Sequence, residues 1–132
     1  MRRRVEENEY DIYVYYNMGF KTKKEALEKL IGYIYDSNFT SKSIKIDDGN
    51  SFHDGTNTEI VTQIDDMENF TQKCSGFKTV SFLAEYYGMP FALMLDLATL
   101  EFRLSCIKDY MVSLDEIEQQ LNLLIIEEGE TF

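Results

Sequence analysis

The single histidine of this sequence lies in an oxygen-rich loop with the composition of a cation site. His53 is the only histidine, so a catalytic triad or a histidine-rich metal site would have to include it. Carboxylate and amide groups, which suit Ca²⁺, are frequent between Asp47 and Glu59. A calcium loop counted from Asp48 would place Phe52 at a ligand position and His53 where the sharp turn requires glycine. We therefore predict an exposed loop without bound metal.

Adjacent carboxylates are the other feature that could support catalysis. Asp47 is followed by Asp48, and Asp65 by Asp66, and glycosidases and two-metal hydrolases use carboxylates that converge in a cleft. Adjacency does not show convergence, because neighbouring acids commonly lie in turns or on solvated faces. The sequence also has no glycine-rich phosphate loop, no Gly-x-Ser-x-Gly elbow and no Cys-x-x-Cys pair. We predict that the protein is not an enzyme and uses no cofactor or metal.

Cysteine usage and hydropathy indicate the compartment. Cys74 and Cys106 are the only cysteines, too few and too far apart for a zinc site, and we expect two buried thiols in a reducing environment. The amino-terminal sequence has no apolar region of the kind found in signal peptides. The longest apolar runs, such as Pro90 to Leu95, are far shorter than the roughly 20 residues that cross a bilayer. These features predict a cytoplasmic protein.

Acidic residues dominate the charge and disfavour nucleic-acid and membrane partners. The 24 acidic and 13 basic residues give a net charge of -11, and no basic residue follows Lys108. Such a surface repels phosphate backbones and anionic lipid headgroups. A helix-turn-helix interpretation of residues 83–97 fails, because Phe91 to Leu95 offers no side chain that reaches base edges. A basic protein would instead be attracted, and would associate faster at low salt.

Hydrophobic periodicity predicts the elements that position these residues. Alternation predicts strands over Tyr10–Tyr16, Ser43–Asp47, Thr58–Asp65, Thr79–Tyr87, Phe91–Asp96 and Leu100–Ile107. The segment Thr79–Tyr87 also fits a helix, but its β-branched start favours a strand. Capping patterns predict helices after Thr22 and Ser113, and a short helix follows Asp66. We predict one α+β domain over residues 1–132, with an antiparallel sheet of about 5–6 strands covered on one face by the first and last helices.

The last helix and the first strand carry the candidate contact residues. On a helical wheel that continues to about Glu127, Leu123 falls opposite the core stripe and within an acidic rim, as docking surfaces often do. Tyr13 and Tyr15 share the strand face opposite Val14, where they either form an exposed patch or pack against a neighbouring element. The predicted partner-binding residues are Asp115, Glu116, Glu118, Gln119, Leu123, Glu127 and Glu128, together with Tyr13 and Tyr15.

These observations favour a small acidic inhibitor that binds and blocks a basic, nucleic-acid-handling protein. Its carboxylates would occupy the positions that the phosphates of the partner's nucleic-acid substrate normally take. Immunity proteins of bacterial toxins and phage counter-defence proteins share that design, although this sequence resembles neither. Two alternatives stay open. One is a small-molecule or nucleotide-binding module with an aromatic pocket among Tyr10–Tyr16, and the other is a homo-oligomeric subunit that buries its second tyrosine face by symmetry.

Overall fold

A seven-stranded antiparallel sheet carries the fold of the computed structural model, which describes residues 2–48 and 58–123. The strands are β1 (Arg2–Glu7), β2 (Asp11–Tyr16), β3 (Thr40–Asp47), β4 (Thr58–Val61), β5 (Thr79–Tyr86), β6 (Met89–Asp96) and β7 (Phe102–Ile107). The α-helices are α1 (Lys23–Gly32), α2 (Met67–Cys74) and α3 (Leu114–Gln120). The predicted α+β class and antiparallel sheet are confirmed, and the sheet is larger than expected.

The strand order is β1-β2-β7-β6-β5-β3-β4. The β5-β6-β7 meander forms the centre, the β1-β2 hairpin joins it through β7, and the β3-β4 hairpin joins it through β5. The segment Thr79–Tyr87, which also fitted a helix, is a strand because β3 and β6 pair with it on both sides. β1 was not predicted, because the charged run from Arg2 to Glu7 shows no apolar alternation. It forms at the edge of the sheet by pairing with β2.

One face of the sheet carries the hydrophobic core. Val14 of β2, Leu104 of β7 and Phe82 of β5 point to this face and are fully buried. The apolar stripe of α1, which includes Leu27 and Leu30, packs in the same cluster. Buried residues of α2 and α3 belong to the same cluster, so the three helices in the described ranges cover one face of the sheet, where two main helices, the first and the last, were expected. No helix among the described residues has the length and apolar character needed to cross a bilayer.

The first two helices each begin after a capping residue, which was predicted for Thr22. The Thr22 hydroxyl oxygen accepts a hydrogen bond from the backbone N–H of Glu25 at 3.1 Å. Asp66 caps α2 in the same way, because its carboxylate accepts from the backbone N–H of Glu68 at 2.9 Å. β4 ends at Val61, four residues before the predicted end at Asp65, and the loop around His53 lies outside the described residues.

α3 begins as predicted and ends earlier than predicted. The Ser113 hydroxyl oxygen accepts a hydrogen bond from the backbone N–H of Glu116 at 3.2 Å, which is the expected cap. The helix ends at Gln120, and Asn122 takes the left-handed conformation with φ 53°. Asparagine is one of the few residues that adopt this conformation readily after a helix. Asn122 is therefore a stop signal that the predicted longer helix overlooked.

The turn after α3 corrects the position of Leu123. Its backbone N–H donates to the carbonyl of Glu118 at 3.0 Å, as in a Schellman motif, and its side chain is only 3% exposed. The prediction of an exposed Leu123 is wrong, because the helical wheel continued a helix that had already ended. Leu123 is a core residue. Glu127 and Glu128, predicted contact residues on that longer helix, lie outside the described residues.

Candidate partner-binding surface

α3 presents its acidic side chains to solvent. Ile117 and Leu121 are fully buried, which fixes the rotation of the helix about its axis. Three of the predicted contact residues, Asp115, Glu116 and Gln119, are consequently exposed, and Glu118 is half-buried. The acidic face predicted for this helix is therefore present in the described turns, without the apolar anchor predicted at Leu123.

The structure does not bring the predicted tyrosines to this face. Tyr13 and Tyr15 alternate with the buried Val14 along β2 and lie on the sheet face opposite the core. Both are half-buried, and the guanidinium carbon of Arg103 lies 5.7 Å from the ring centroid of Tyr13. Because α3 packs on the core face, one flat interface cannot include both sets of residues.

An exposed aromatic side chain lies instead at the β5-β6 turn. Tyr87 and Gly88 form the two-residue loop of this hairpin, with φ 49° and 79°, so both occupy the left-handed region of a type I′ turn. Tyr87 is 78% exposed. Its ring meets that of Tyr86 edge to face, with centroids 4.7 Å apart. The turn thus projects a tyrosine into solvent from a position that usually holds asparagine or glycine.

Tyr110, from the segment between β7 and α3, contacts this turn. The Tyr110 hydroxyl donates a hydrogen bond to the carbonyl of Gly88 at 3.2 Å, and the adjacent Met111 is 96% exposed. Tyr86, Tyr87, Tyr110 and Met111 will be called the aromatic patch. Sequence reasoning missed this patch because its two pairs of adjacent residues, 86–87 and 110–111, are more than twenty residues apart. Its one local signal was the Tyr87-Gly88 turn between two apolar strands.

Carboxylates of α3 and of the turn after α1 border the aromatic patch. The pKa of the Tyr86 hydroxyl is raised, first by desolvation and then by Tyr87 and the negative charges of Glu116 and Asp36. The carboxylate of Asp36 accepts a hydrogen bond from the Gln120 side chain at 3.0 Å. Negative charges from two separate segments therefore act on Tyr86.

The segment that includes α3 carries no neutralising charge of its own. Asp109 and Asp115 are exposed, and no basic residue occurs from 109 to 123. Lys42, from β3, approaches the area and donates from Nζ to the backbone carbonyl of Asp36 at 2.9 Å. The aromatic patch and the exposed acids of α3 therefore form a mixed apolar and anionic surface.

A shallow trough lies on the sheet face opposite the helices. Ser105 of β7 pairs with Ala92 of β6, and because both side chains are small the face is concave there. The trough has a volume of about 410 Å³, and Leu83, Ile107 and Asp11 also line it. Its composition is mainly apolar, with a hydroxyl and a carboxylate available for hydrogen bonding.

Metal and thiol chemistry receive no support from the described residues. Residues 2–48 and 58–123 contain no group of three or more His, Cys, Asp or Glu side chains arranged to hold a metal. Cys74 and Cys106 are buried, unpaired thiols, as predicted. Burial chiefly raises their pKa values, to about 12 for Cys74 and about 11 for Cys106. Both therefore remain protonated and weakly nucleophilic near neutral pH.

Comparison of the chain with protein-family models, with curated protein sequences and with solved structures gave no match. The ligands of the mixed surface and of the trough are therefore inferred from the shape and charge of these two sites.

Proposed function

We propose that this protein binds a basic protein through the aromatic patch and the exposed acids of α3, and blocks the nucleic-acid-handling surface of that partner. The observation that carries the proposal is the exposed Tyr87, held in a left-handed turn whose Gly88 carbonyl accepts a hydrogen bond from Tyr110. Its neighbour Tyr86 has a pKa raised in part by the charge of Glu116. An apolar centre with a charged border is the usual composition of a protein interface.

The conformation of Tyr87 supports a binding role. A non-glycine residue in the left-handed region costs roughly 1 kcal/mol, and strain of this kind is concentrated at functional sites. The Tyr87 side chain contributes little to the stability of the fold, because most of its ring is in solvent. Tyrosine and methionine are enriched at interfaces, where a large side chain fills a pocket in the partner. Tyr87 and Met111 are thus the proposed apolar anchors.

The charge of the protein supports a cationic partner. A net charge of -11 attracts a basic protein over several ångströms and repels competing acidic ones. Asp115 and Glu116 extend from the first turn of α3, where they also complement the helix dipole. In the complex these carboxylates would occupy positions that phosphate groups take in the partner's substrate, which would make binding and substrate access mutually exclusive.

The test begins with affinity capture from the native host, followed by titration of the purified partner at several salt concentrations. We expect a basic protein whose affinity falls as salt rises. Glu116→Lys should weaken binding by about tenfold or more. Glu9→Lys is the matched control, because it reverses the same charge at an exposed residue of the β1-β2 turn. Affinity that is independent of salt, or equal for both variants, would contradict the proposal.

A second candidate function is small-molecule binding in the trough. Its volume of about 410 Å³ lies within the roughly 300–1,000 Å³ of known ligand sites. A thermal-shift panel of apolar compounds bearing an amine or hydroxyl group would test it, since Asp11 and Ser105 line the trough. Ala92→Phe should fill the floor and abolish any shift. A panel without a single stabilising compound would remove this candidate.

A further inference from the structure

A cleft separates α1 from the segment that joins β4 to α2. It has a volume of about 230 Å³ and is lined by Glu28, Ile31, Gly32, Tyr35, Ile64, Asp65 and Met67. Ile31 is buried at its base, and Ile64 and Met67 are half-buried. The Tyr35 ring is 68% exposed, and its hydroxyl donates to the backbone carbonyl of Ile64 at 3.3 Å. That hydrogen bond connects the two sides of the cleft and orients the ring.

Negative charge borders this apolar cleft. Glu28 and Asp65 are both exposed, and neither forms an ion pair with any residue in the described ranges. Asp65 accepts a hydrogen bond from the neutral Gln63 amide at 3.1 Å. Lys24, one turn before Glu28 on α1, is paired with Glu68, and the charge of Glu28 is the smallest of the causes that shift the pKa of Lys24. The cleft therefore combines apolar walls with two carboxylates that form no ion pair within residues 2–48 and 58–123.

We infer that this cleft receives a lysine or arginine side chain of the basic partner, an inference that rests on the proposed function. Both side chains pack their methylene groups on apolar surface and keep the charged end in contact with polar groups. Ile31 and Met67 would contact the methylenes, the Tyr35 ring would lie beside the cation, and the carboxylates would bind its N–H groups. A neutral apolar side chain would leave those carboxylates unpaired, and an anionic one would be repelled.

The cleft lies close in sequence to the acidic border of the aromatic patch. Tyr35 is followed by Asp36, which accepts a hydrogen bond from Gln120 of α3. The segment after α1 thus contributes Tyr35 to the cleft and Asp36 to the border of the aromatic patch. The cleft would therefore give the proposed interface a specific site for a lysine or arginine side chain, in addition to the aromatic patch and the acidic surface.

Gly32 allows the cleft to be blocked without disturbing the fold. Its backbone is helical, with φ -53°, and a Cβ built on it meets no atom within 4 Å. A side chain at this position would enter open space next to the other lining residues. Gly32→Leu is therefore expected to fill the cleft and to retain the helix, since leucine favours helical backbone more than glycine does.

The experiment is a methyl-detected NMR titration of the intact chain with n-butylammonium, and with 1-butanol as the uncharged analogue. We expect saturable shifts at Ile31, Ile64 and Met67, with a dissociation constant on the order of millimolar, and binding at least about fivefold weaker for butanol. Gly32→Leu should abolish the shifts. The double variant Glu28→Gln with Asp65→Asn should remove the preference for the cation.

Glu25→Gln is the matched control, because Glu25 is exposed on the first turn of α1 and does not line the cleft. It should leave the titration unchanged, and circular dichroism should show that each variant is folded. Shifts that do not saturate, that spread evenly over the acidic surface, or that survive Gly32→Leu would overturn the inference.

The two proposals fail in distinguishable ways. If butylammonium does not bind while a basic partner still binds and Glu116→Lys weakens it, the cleft inference is wrong and the proposed function stands. If butylammonium binds the cleft but no salt-sensitive basic partner exists, the proposed function is wrong, and with it the assignment of the cleft to a partner's side chain.

Discussion

The hydroxyl of Tyr33 donates a hydrogen bond to the backbone carbonyl of Leu121, which joins the turn after α1 to the end of α3. The Nζ of Lys29 approaches the carbonyl of Asn122 at 3.4 Å, and the Gln120 side chain donates to Asp36. These bonds join the carboxyl-terminal end of α3 to the body of the protein.

Tyr33→Phe should destabilise the protein by about 1–2 kcal/mol, because it leaves the buried carbonyl of Leu121 without its donor. Urea denaturation measures the change. Tyr35→Phe is the matched control, since the Tyr35 hydroxyl bonds to a backbone carbonyl in an exposed setting, where water replaces the lost donor. An equal loss of unfolding free energy in the two variants would show that the Tyr33 hydrogen bond does not anchor α3.

Leu123→Ala should cost about 2–4 kcal/mol, as expected when a buried leucine is truncated. Met111→Ala, which truncates a residue that is 96% exposed, should change the free energy of unfolding by less than about 0.5 kcal/mol. Chemical denaturation of both variants tests the corrected position of Leu123. A negligible effect of Leu123→Ala on the free energy of unfolding would contradict its burial and support the exposed position predicted from the helical wheel.

Tyr87→Asn should raise stability by up to about 1 kcal/mol, because asparagine tolerates the left-handed conformation that tyrosine occupies at this turn. The same variant should weaken partner binding, because it removes an exposed anchor. Thermal denaturation and titration with the partner measure the two effects. A variant that is more stable and binds equally well would contradict the role of Tyr87 in the interface.

Asp36 should contribute to acid sensitivity. Burial alone would raise the pKa of its carboxyl, but hydrogen bonds from Asn38 and Gln120 and the charge of Lys42 outweigh burial and hold it below the ordinary value of 3.8. A group with a depressed folded-state pKa stabilises the fold above its unfolded pKa, and that contribution is lost as pH falls through the folded value.

Asp36→Asn should accordingly be less stable than the parent near neutral pH, and the difference should shrink as pH falls below about 4. Urea midpoints measured between about pH 3 and 7 test this dependence. Glu9→Gln removes an equal charge at an exposed site and serves as the control. A difference between Asp36→Asn and the parent that stays constant over this range would show that ionised Asp36 is not stabilising.

Both thiols should be protected in the folded protein. Cys74 and Cys106 are buried, and burial is the main reason why their pKa values are raised. Reaction with a disulfide reagent at about pH 8 should be at least about a hundredfold slower in the folded protein than in guanidinium chloride. Rapid labelling of either thiol in the native state would show that its element opens readily.

The parts of the fold that could be predicted are those whose signal is local. The cap at Thr22 and the alternation in β7 depend on neighbours in sequence, and both elements begin within a residue or two of their predicted positions. The edge strand β1 gave no such signal, because its stability comes from pairing with β2 and not from burying an apolar face of its own.

The candidate surface was only partly predictable for a similar reason. The exposed acids of α3 follow from the period of one helix, and the structure presents them as expected. The aromatic patch depends on Tyr110 reaching Gly88 across the fold, a contact that no periodic pattern encodes. Leu123 was predicted to be exposed because the helical wheel did not account for Asn122, whose left-handed conformation ends α3.

The pairing of β2 with β7 has a consequence for synthesis on the ribosome. Asp11 is opposite Ile107, so the β1-β2 hairpin is translated well before the strand with which it pairs. Until then the edge of β2 that will pair with β7 has no neighbour, and unpaired edges are where nascent chains aggregate.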